Sequence, residues 1–358
     1  LEVRLLAVDS LGAFQTGVPF DLLTPSGFGE IVPGPTATGV NGELTVKWVL
    51  GPTPGIQQFS AVRADIGRPV QLEAEGTGQV DPWPFTLASP GLNHTCALDD
   101  MGTAYCWGRG LESQLGDADT LDVNQPKLVS TALTWTDITG GDTHTCALTD
   151  ADSQIHCWGE GFQTGQATGL PVPTPVQLPG GPWVALTSGA EHVCAIASGP
   201  DRKAYCWGEE VEGRLGIGDG ILLPTEVPSL VAGGHIWLQL SAGRRHTCGR
   251  TSDNRAYCWG RGLDGQLGDG PAVDRTVPAM VAGGFEWRTV TAGYAHSCGI
   301  SAGDNAAYCW GEGSRGELGD GSSADYTSPV LVHGGHQWNA INAGRFHTCA
   351  IDTGNKLY

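Results

Sequence analysis

Short runs in which apolar and polar residues alternate recur along the whole chain, each bounded by Gly, Pro or Asp. A period of two marks half-buried strands. The first such runs are Glu2–Val8, Val18–Leu23, Glu43–Val49, Gln57–Val62 and Val70–Glu75. They predict an antiparallel β-sandwich over residues 1–78, with Trp48 in its core. The stretch Gly76 to Pro84 (GTGQVDPWP) reads as a linker, which places residues 79–84 between two domains. No long segment shows a capped helical period. No apolar run approaches the roughly 18–20 residues of a membrane span.

Residues 85–358 are a repeat array. His-x-Cys occurs at His94/Cys96, His144/Cys146, His192/Cys194, His246/Cys248, His296/Cys298 and His347/Cys349, and the first cysteines step by 48 to 54 residues. A glycine stands three positions before each His (Gly91, Gly141, Gly189, Gly243, Gly293, Gly344). An aromatic stands eleven before each first Cys (Phe85, Trp135, Trp183, Trp237, Trp287, Trp338). Cys-Trp-Gly follows at Cys106, Cys157, Cys206, Cys258 and Cys309, and then a turn such as Gly265–Gly270 (GQLGDG) and a Val-rich strand with Pro. A period near 50 built from four short strands is a propeller blade or a solenoid unit, whose faces are buried only by neighbouring units. The fold class is therefore all-β: a sandwich followed by a β-propeller of four-stranded blades. The sixth repeat stops at Tyr358, one position before its Cys-Trp-Gly is due. Six blades are begun, and six or seven are expected in the whole protein.

Two resemblances follow from these residues. The N-terminal wording VDSLGAFQTGVPFDLL, then ATGVNGELTVKWVLG and a strand led by Gly55, resembles bacterial Ig-like domains of the invasin/intimin type. In that family such domains act as spacers or adhesive stalk units. The array's Gly-x-x-His, Trp-Gly and Gly-Gln-Leu-Gly elements resemble the regulator-of-chromosome-condensation repeat, here in a Cys-rich form. That resemblance implies four-stranded blades, usually seven to a ring. Repeat 2 departs from it: after Cys157-Trp158-Gly159 it reads EGFQTGQATG, so that blade is expected to carry an altered loop.

Composition sharpens this picture. Gly (55) and Pro (22) are abundant, as tight turns require. The net charge of −19 and the absence of a basic stripe argue against nucleic acid as a partner. The eleven cysteines point to an oxidising, extracytoplasmic setting: periplasm, cell surface or medium.

Ten of the cysteines form five pairs around short turns. Pairing Cys96 with Cys106 sets Leu98 opposite Ala104 in a hairpin and brings both sulfurs to one face. The expected disulfides are Cys96–Cys106, Cys146–Cys157, Cys194–Cys206, Cys248–Cys258 and Cys298–Cys309, and Cys349 is left over. His94, Cys96 and Cys106 facing one way is the alternative, a zinc site, but the Cys-x2–4-Cys knuckles that zinc favours are missing. The six histidines are assigned a structural role, each tying its strand to a neighbouring backbone group. Asp117, Asp219, Asp269 and Asp320 sit in turns where Asp bonds its own backbone. No Gly-x-Ser-x-Gly, His-Glu-x-x-His or phosphate loop is present, so no catalytic, metal or cofactor-binding residue is assigned and no enzyme is expected.

Function is left to the positions that vary between fixed ones. The two residues between Gly and His read Leu92-Asn93, Asp142-Thr143, Ala190-Glu191, Arg244-Arg245, Tyr294-Ala295 and Arg345-Phe346. One equivalent loop per blade lines one face of the disc. Arg and Tyr are interface-anchoring types, so Arg244, Arg245, Tyr294, Arg345 and Phe346 are the candidate partner-binding residues. A related bacterial propeller, the β-lactamase inhibitory protein, likewise uses one face to bind protein. The expected function is a non-catalytic, extracytoplasmic scaffold whose propeller binds a partner protein, with peripheral docking on a membrane complex as one setting. The alternative is a surface-adhesion or carbohydrate-binding propeller, with or without hydrolysis; the carbohydrate reading needs a cluster of acids and exposed aromatics in one pocket, and burial of the array's tryptophans discriminates against it.

Overall fold

The computed structural model describes residues 85–166, 170–218 and 223–358, together with the backbone of six strands before residue 85. The expectations for Trp48, for the linker 79–84 and for Asp219 fall outside the described residues. Two compact units are present: Leu1–Phe85 with Ser130–Ala132, and Thr86–Val129 with Leu133–Tyr358. In the first, Glu43–Val49 pairs with Glu2–Leu6 and Glu30–Ile31, and Gly55–Arg63 pairs with Phe20–Leu23 and Arg68–Gly76, all antiparallel.

In the second unit the described strands form five four-stranded antiparallel meanders and a two-stranded sixth. Blade 4 stands for the others: Trp237–Ala242, His246–Thr251, Ala256–Gly260 and Arg275–Met280 pair in chain order. The first strand of each blade from the second onward touches the first strand of the next, which arranges the sheets side by side as in a propeller. Fourth strands form the outer edge. Each holds a proline (Pro126, Pro175, Pro228, Pro278 or Pro329), which lacks the N–H that a further strand would need.

The core lies between blades, because a single sheet cannot bury both faces. Cys96, Leu98, Cys106 and Leu115 of blade 1 pack with Trp135, Ile138 and Trp158 of blade 2. Cys248, Cys258 and Leu267 of blade 4 meet Trp287, Val290 and Trp310 of blade 5 in the same way. The tryptophans at 158, 207, 237, 259, 287 and 310 are fully buried. Their burial counts against the carbohydrate reading.

All five expected cysteine pairs are disulfides, with Leu98 opposite Ala104 in the first hairpin. Each closes a loop of 10 to 12 residues, which stabilises by about 2–3 kcal/mol. With the sulfurs joined, the thiolates that a His94–Cys96–Cys106 zinc site needs are consumed. Cys349 is free and exposed.

The second junction between blades is a turn. The indole Nε1 of Trp158 donates to the Gln114 carbonyl at 2.9 Å, and Trp310 does so to Gln266 at 2.9 Å. Gly116 turns beneath the first of these indoles with φ +68°, and a Cβ there would lie 2.6 Å from Trp158 Nε1. Repeat 2 lacks the Leu-Gly-Asp-Gly wording but keeps the function. A 3-10 turn at Phe162–Thr164 presents the Gln163 carbonyl to Trp207 Nε1 at 2.9 Å.

Candidate functional site

Each Gly-x-x-His segment is a tight turn between the first and second strands of its blade. The Gly N–H donates to the His carbonyl at 2.8–2.9 Å in all six. Neighbouring turns are also laced together. Arg244 N–H donates to the Gly293 carbonyl at 3.1 Å and Tyr294 N–H to the Gly344 carbonyl at 3.2 Å. A Cβ on Gly243 would come within 2.3 Å of the Gly293 carbonyl oxygen, so only glycine permits this approach. The lacing sets the first variable residues of successive blades side by side in an arc.

The histidines anchor the arc, and their partner differs from expectation. Four of the six reach a hydroxyl of the next blade rather than a backbone group: His94 Nε2 to Thr145 Oγ1 at 2.9 Å, His192 to Thr247 at 2.8 Å, His246 to Ser297 at 2.8 Å and His296 to Thr348 at 3.0 Å. A local hairpin pattern does not reveal a partner about fifty residues away. His144 breaks the series. The position equivalent to those hydroxyls in blade 3 is Val193, and neither ring nitrogen of the fully buried His144 has a partner. Burial holds these rings neutral, lowering the pKa of His94 and His296 to about 4 and of His144 and His246 to about 3.

Four of the five candidate partner-binding residues converge. The Tyr294 and Phe346 rings lie 5.2 Å apart. The Arg244 guanidinium sits 4.4 Å from the Tyr294 centroid, and that of Arg345 5.1 Å from Tyr294 and 4.9 Å from Phe346. Arg245 does not join them. It turns to Glu212 at 3.3 Å, an acid that Arg261 shares at 3.3 Å. A residue the pattern misses takes its place: Arg315, immediately before the Gly-Glu-Leu-Gly turn of blade 5, lies 3.6 Å over the Phe346 ring of blade 6. Its signal is the same offset that carries Thr348 back to the Glu317 carbonyl at 2.8 Å, which brings each such turn beneath the next blade's loop.

Acids occupy the other end of the arc. Asp142 is half-buried, and desolvation raises its pKa against the opposing pull of Arg244, Arg345 and Arg214. Glu191 pairs at 3.1 Å with Arg214, which is 1% exposed and replaces the glutamine of the Gly-Gln-Leu-Gly turn. Asp117 Oδ1 and Asp320 Oδ1 accept from backbone N–H groups two residues on, at 3.1 and 3.0 Å, as turn aspartates do; Asp117 also pairs with Lys127 at 2.8 Å, and Asp269 with Arg275 at 2.7 Å. The site holds cations against rings on a laced backbone. It suits binding.

The sequence of the array matches the family model of the regulator of chromosome condensation (RCC1) repeat at residues 101–148, 253–300 and 304–351, and a second model of that repeat at 237–266. The chain carries RCC1 repeats. Among curated proteins, the RCC1-repeat array is similar to the ultraviolet-B receptor UVR8 of Arabidopsis thaliana. The two are 30% identical over 290 residues, which cover 77% of this chain and 65% of that one. It is also similar to the human E3 ubiquitin-protein ligase HERC2, at 26% over 275 residues, covering 74% of this chain and 6% of the ligase. This chain therefore spans under two thirds of either relative. Among solved structures, Prp20p of Saccharomyces cerevisiae superposes with a TM-score of 0.68 at 16% identity, over 93% of this chain and 91% of that one. Human WBSCR16 superposes at 0.66 and 17% identity, over 93% and 98%. At such identities the likeness shows an RCC1-like propeller fold.

Proposed function

We propose that this chain is a non-catalytic, extracytoplasmic interaction protein whose propeller binds a partner protein on the arc of Gly-x-x-His turns over blades 4–6. The observation that carries the reading is the Arg244–Tyr294–Arg345–Phe346 cluster, extended by Arg315. Stacked arginine and aromatic side chains on a rigid backbone lose little entropy on docking, which is why such residues anchor interfaces. The five disulfides support an oxidising compartment. RCC1-like propellers serve as binding surfaces elsewhere: the Prp20p structure is described with that protein's binding to Gsp1p and histones, and another with Kap60 bound. In this reading residues 1–78 form an Ig-like spacer ahead of the propeller, and peripheral docking on a membrane complex is one setting.

Cross-linking mass spectrometry on the unreduced protein in its native envelope tests this. A partner cross-linked near Arg244, Tyr294 or Arg345, and lost when those residues and Phe346 are changed to Ala, is the expected result. Undiminished capture by that variant would falsify the reading.

A further inference from the structure

We propose that the arc over blades 4–6 docks an acidic segment of the partner, with Arg244, Arg315 and Arg345 receiving its carboxylates. This rests on the protein-binding reading above and adds the chemistry of the bound segment.

The contrast among the arginines carries the inference. Arg109 pairs with Glu112, Arg214 with Glu191, Arg245 and Arg261 with Glu212, and Arg275 with Asp269, while Arg202, Arg250, Arg255 and Arg288 donate to backbone or amide carbonyl oxygens. Among the described residues no carboxylate lies within 4 Å of Arg244, Arg315 or Arg345. Each of these three instead lies against an aromatic ring, at 3.6 to 5.1 Å from its centroid. A ring face attracts the cation but satisfies none of its N–H donors, so the guanidinium edge keeps the fork that binds a carboxylate bidentately. Holding the fork against a ring also removes rotamer freedom before binding.

Charge complementarity selects the occupant. The chain carries −19 overall, with 38 acids against 19 basic residues. Three such cations next to one another on one face favour a negatively charged segment and repel a basic one. The arc is also polarised. Asp142 sits on blade 2 and repels the same segment, which favours blades 4–6. Arg244 and Arg345 both act on the ionisation of Asp142, so this acid tunes the site from within.

The test is fluorescence anisotropy with labelled hexaglutamate, hexaglutamine and hexalysine at low salt and at about 0.5 M salt. The net charge of the protein opposes hexaglutamate and favours hexalysine, so binding of the acid peptide reports a local site. Hexaglutamate is expected to bind at least about tenfold more tightly than hexaglutamine, and to be released by salt. Arg244→Gln and Arg345→Gln each weaken it about tenfold, the loss of one charge-assisted pair. Arg245→Gln, whose charge Glu212 already holds, leaves the affinity unchanged, and Asp142→Asn strengthens it. A preference for hexalysine, or equal losses for Arg245→Gln and Arg345→Gln, overturns the proposal. Circular dichroism of each variant separates loss of binding from loss of fold. The two readings fail separately. If the alanine variant loses a native partner while hexaglutamate does not bind, the acidic chemistry is wrong and the protein-binding face stands. If hexaglutamate binds and the partner cross-link survives the alanine changes, the anion site stands and the protein-binding face falls.

Discussion

Thr145 gives its single hydroxyl proton to the Gln114 carbonyl at 2.8 Å, so the 2.9 Å bond it shares with His94 runs from the imidazole Nε2–H to the threonine oxygen. The tautomer of His94 is thereby set by a turn in its own blade, acting through a threonine of the next. Ser297 repeats the arrangement, donating to Gln266 at 2.9 Å while receiving from His246. The His, the hydroxyl and the turn carbonyl are one interlock between blades, and each Trp Nε1 that shares the carbonyl strengthens it.

Removing the hydroxyl leaves a buried donor without a partner. Thr247→Val strands the Nε2–H of the fully buried His192 and is expected to cost about 1–3 kcal/mol. The reverse change, Val193→Thr, supplies the hydroxyl that His144 lacks and stabilises by about 1 kcal/mol. Urea unfolding midpoints of the two variants should move in opposite directions from wild type. A shift in the same direction for both would show that the hydroxyl is not what the interlock depends on.

The buried histidines make the propeller acid-labile above the carboxylate range. Their folded pKa values lie at about 3 to 4, against an ordinary 6.5. Above pH 6.5 the rings are neutral in both states and cost nothing. Below it the unfolded chain takes up protons that the folded rings refuse, and each histidine removes about 1.4 kcal/mol of stability per pH unit until its folded pKa is reached. Asp137 has the opposite sign. Burial raises its pKa to about 6, so folding gains from its protonation as pH falls from 6 toward 3.8. Denaturant midpoints should drop from pH 7 to pH 5, and more steeply in Asp137→Asn.

Two glycines with the same backbone conformation separate strain from crowding. Gly268 has φ +68° and Gly284 φ +69°, but only at Gly268 would a Cβ meet an indole, 2.6 Å from Trp310 Nε1. Gly284→Ala carries the conformational penalty alone, about 1 kcal/mol. Gly268→Ala should cost about 2 kcal/mol more, since Trp310 has to leave its carbonyl partner. Thermal melts and tryptophan emission of the pair check this, and equal melting temperatures would contradict it.

Thiol counting reads the disulfide framework directly. Iodoacetamide should label the native, unreduced protein once, at Cys349. After unfolding and reduction it should label all eleven cysteines. Intact-mass spectrometry reports both numbers, and more than one label before reduction contradicts the pairing.

What the sequence determined by itself is everything local to a blade. Strand order, the Leu98–Ala104 register, the five cysteine pairs and the turn glycines all follow from spacings of a dozen residues or so, because a hairpin's register is set by its own turn and its own alternation. What only the tertiary structure decided lies between blades. That His94 seeks Thr145, that Gln163 replaces a missing Gly-Gln-Leu-Gly turn, that Arg245 leaves the cluster for Glu212 and Arg315 enters it from the preceding blade, all depend on how neighbouring sheets pack. Those contacts join residues about thirty to fifty positions apart, where no local period links the partners and the geometry comes from burying two faces against each other.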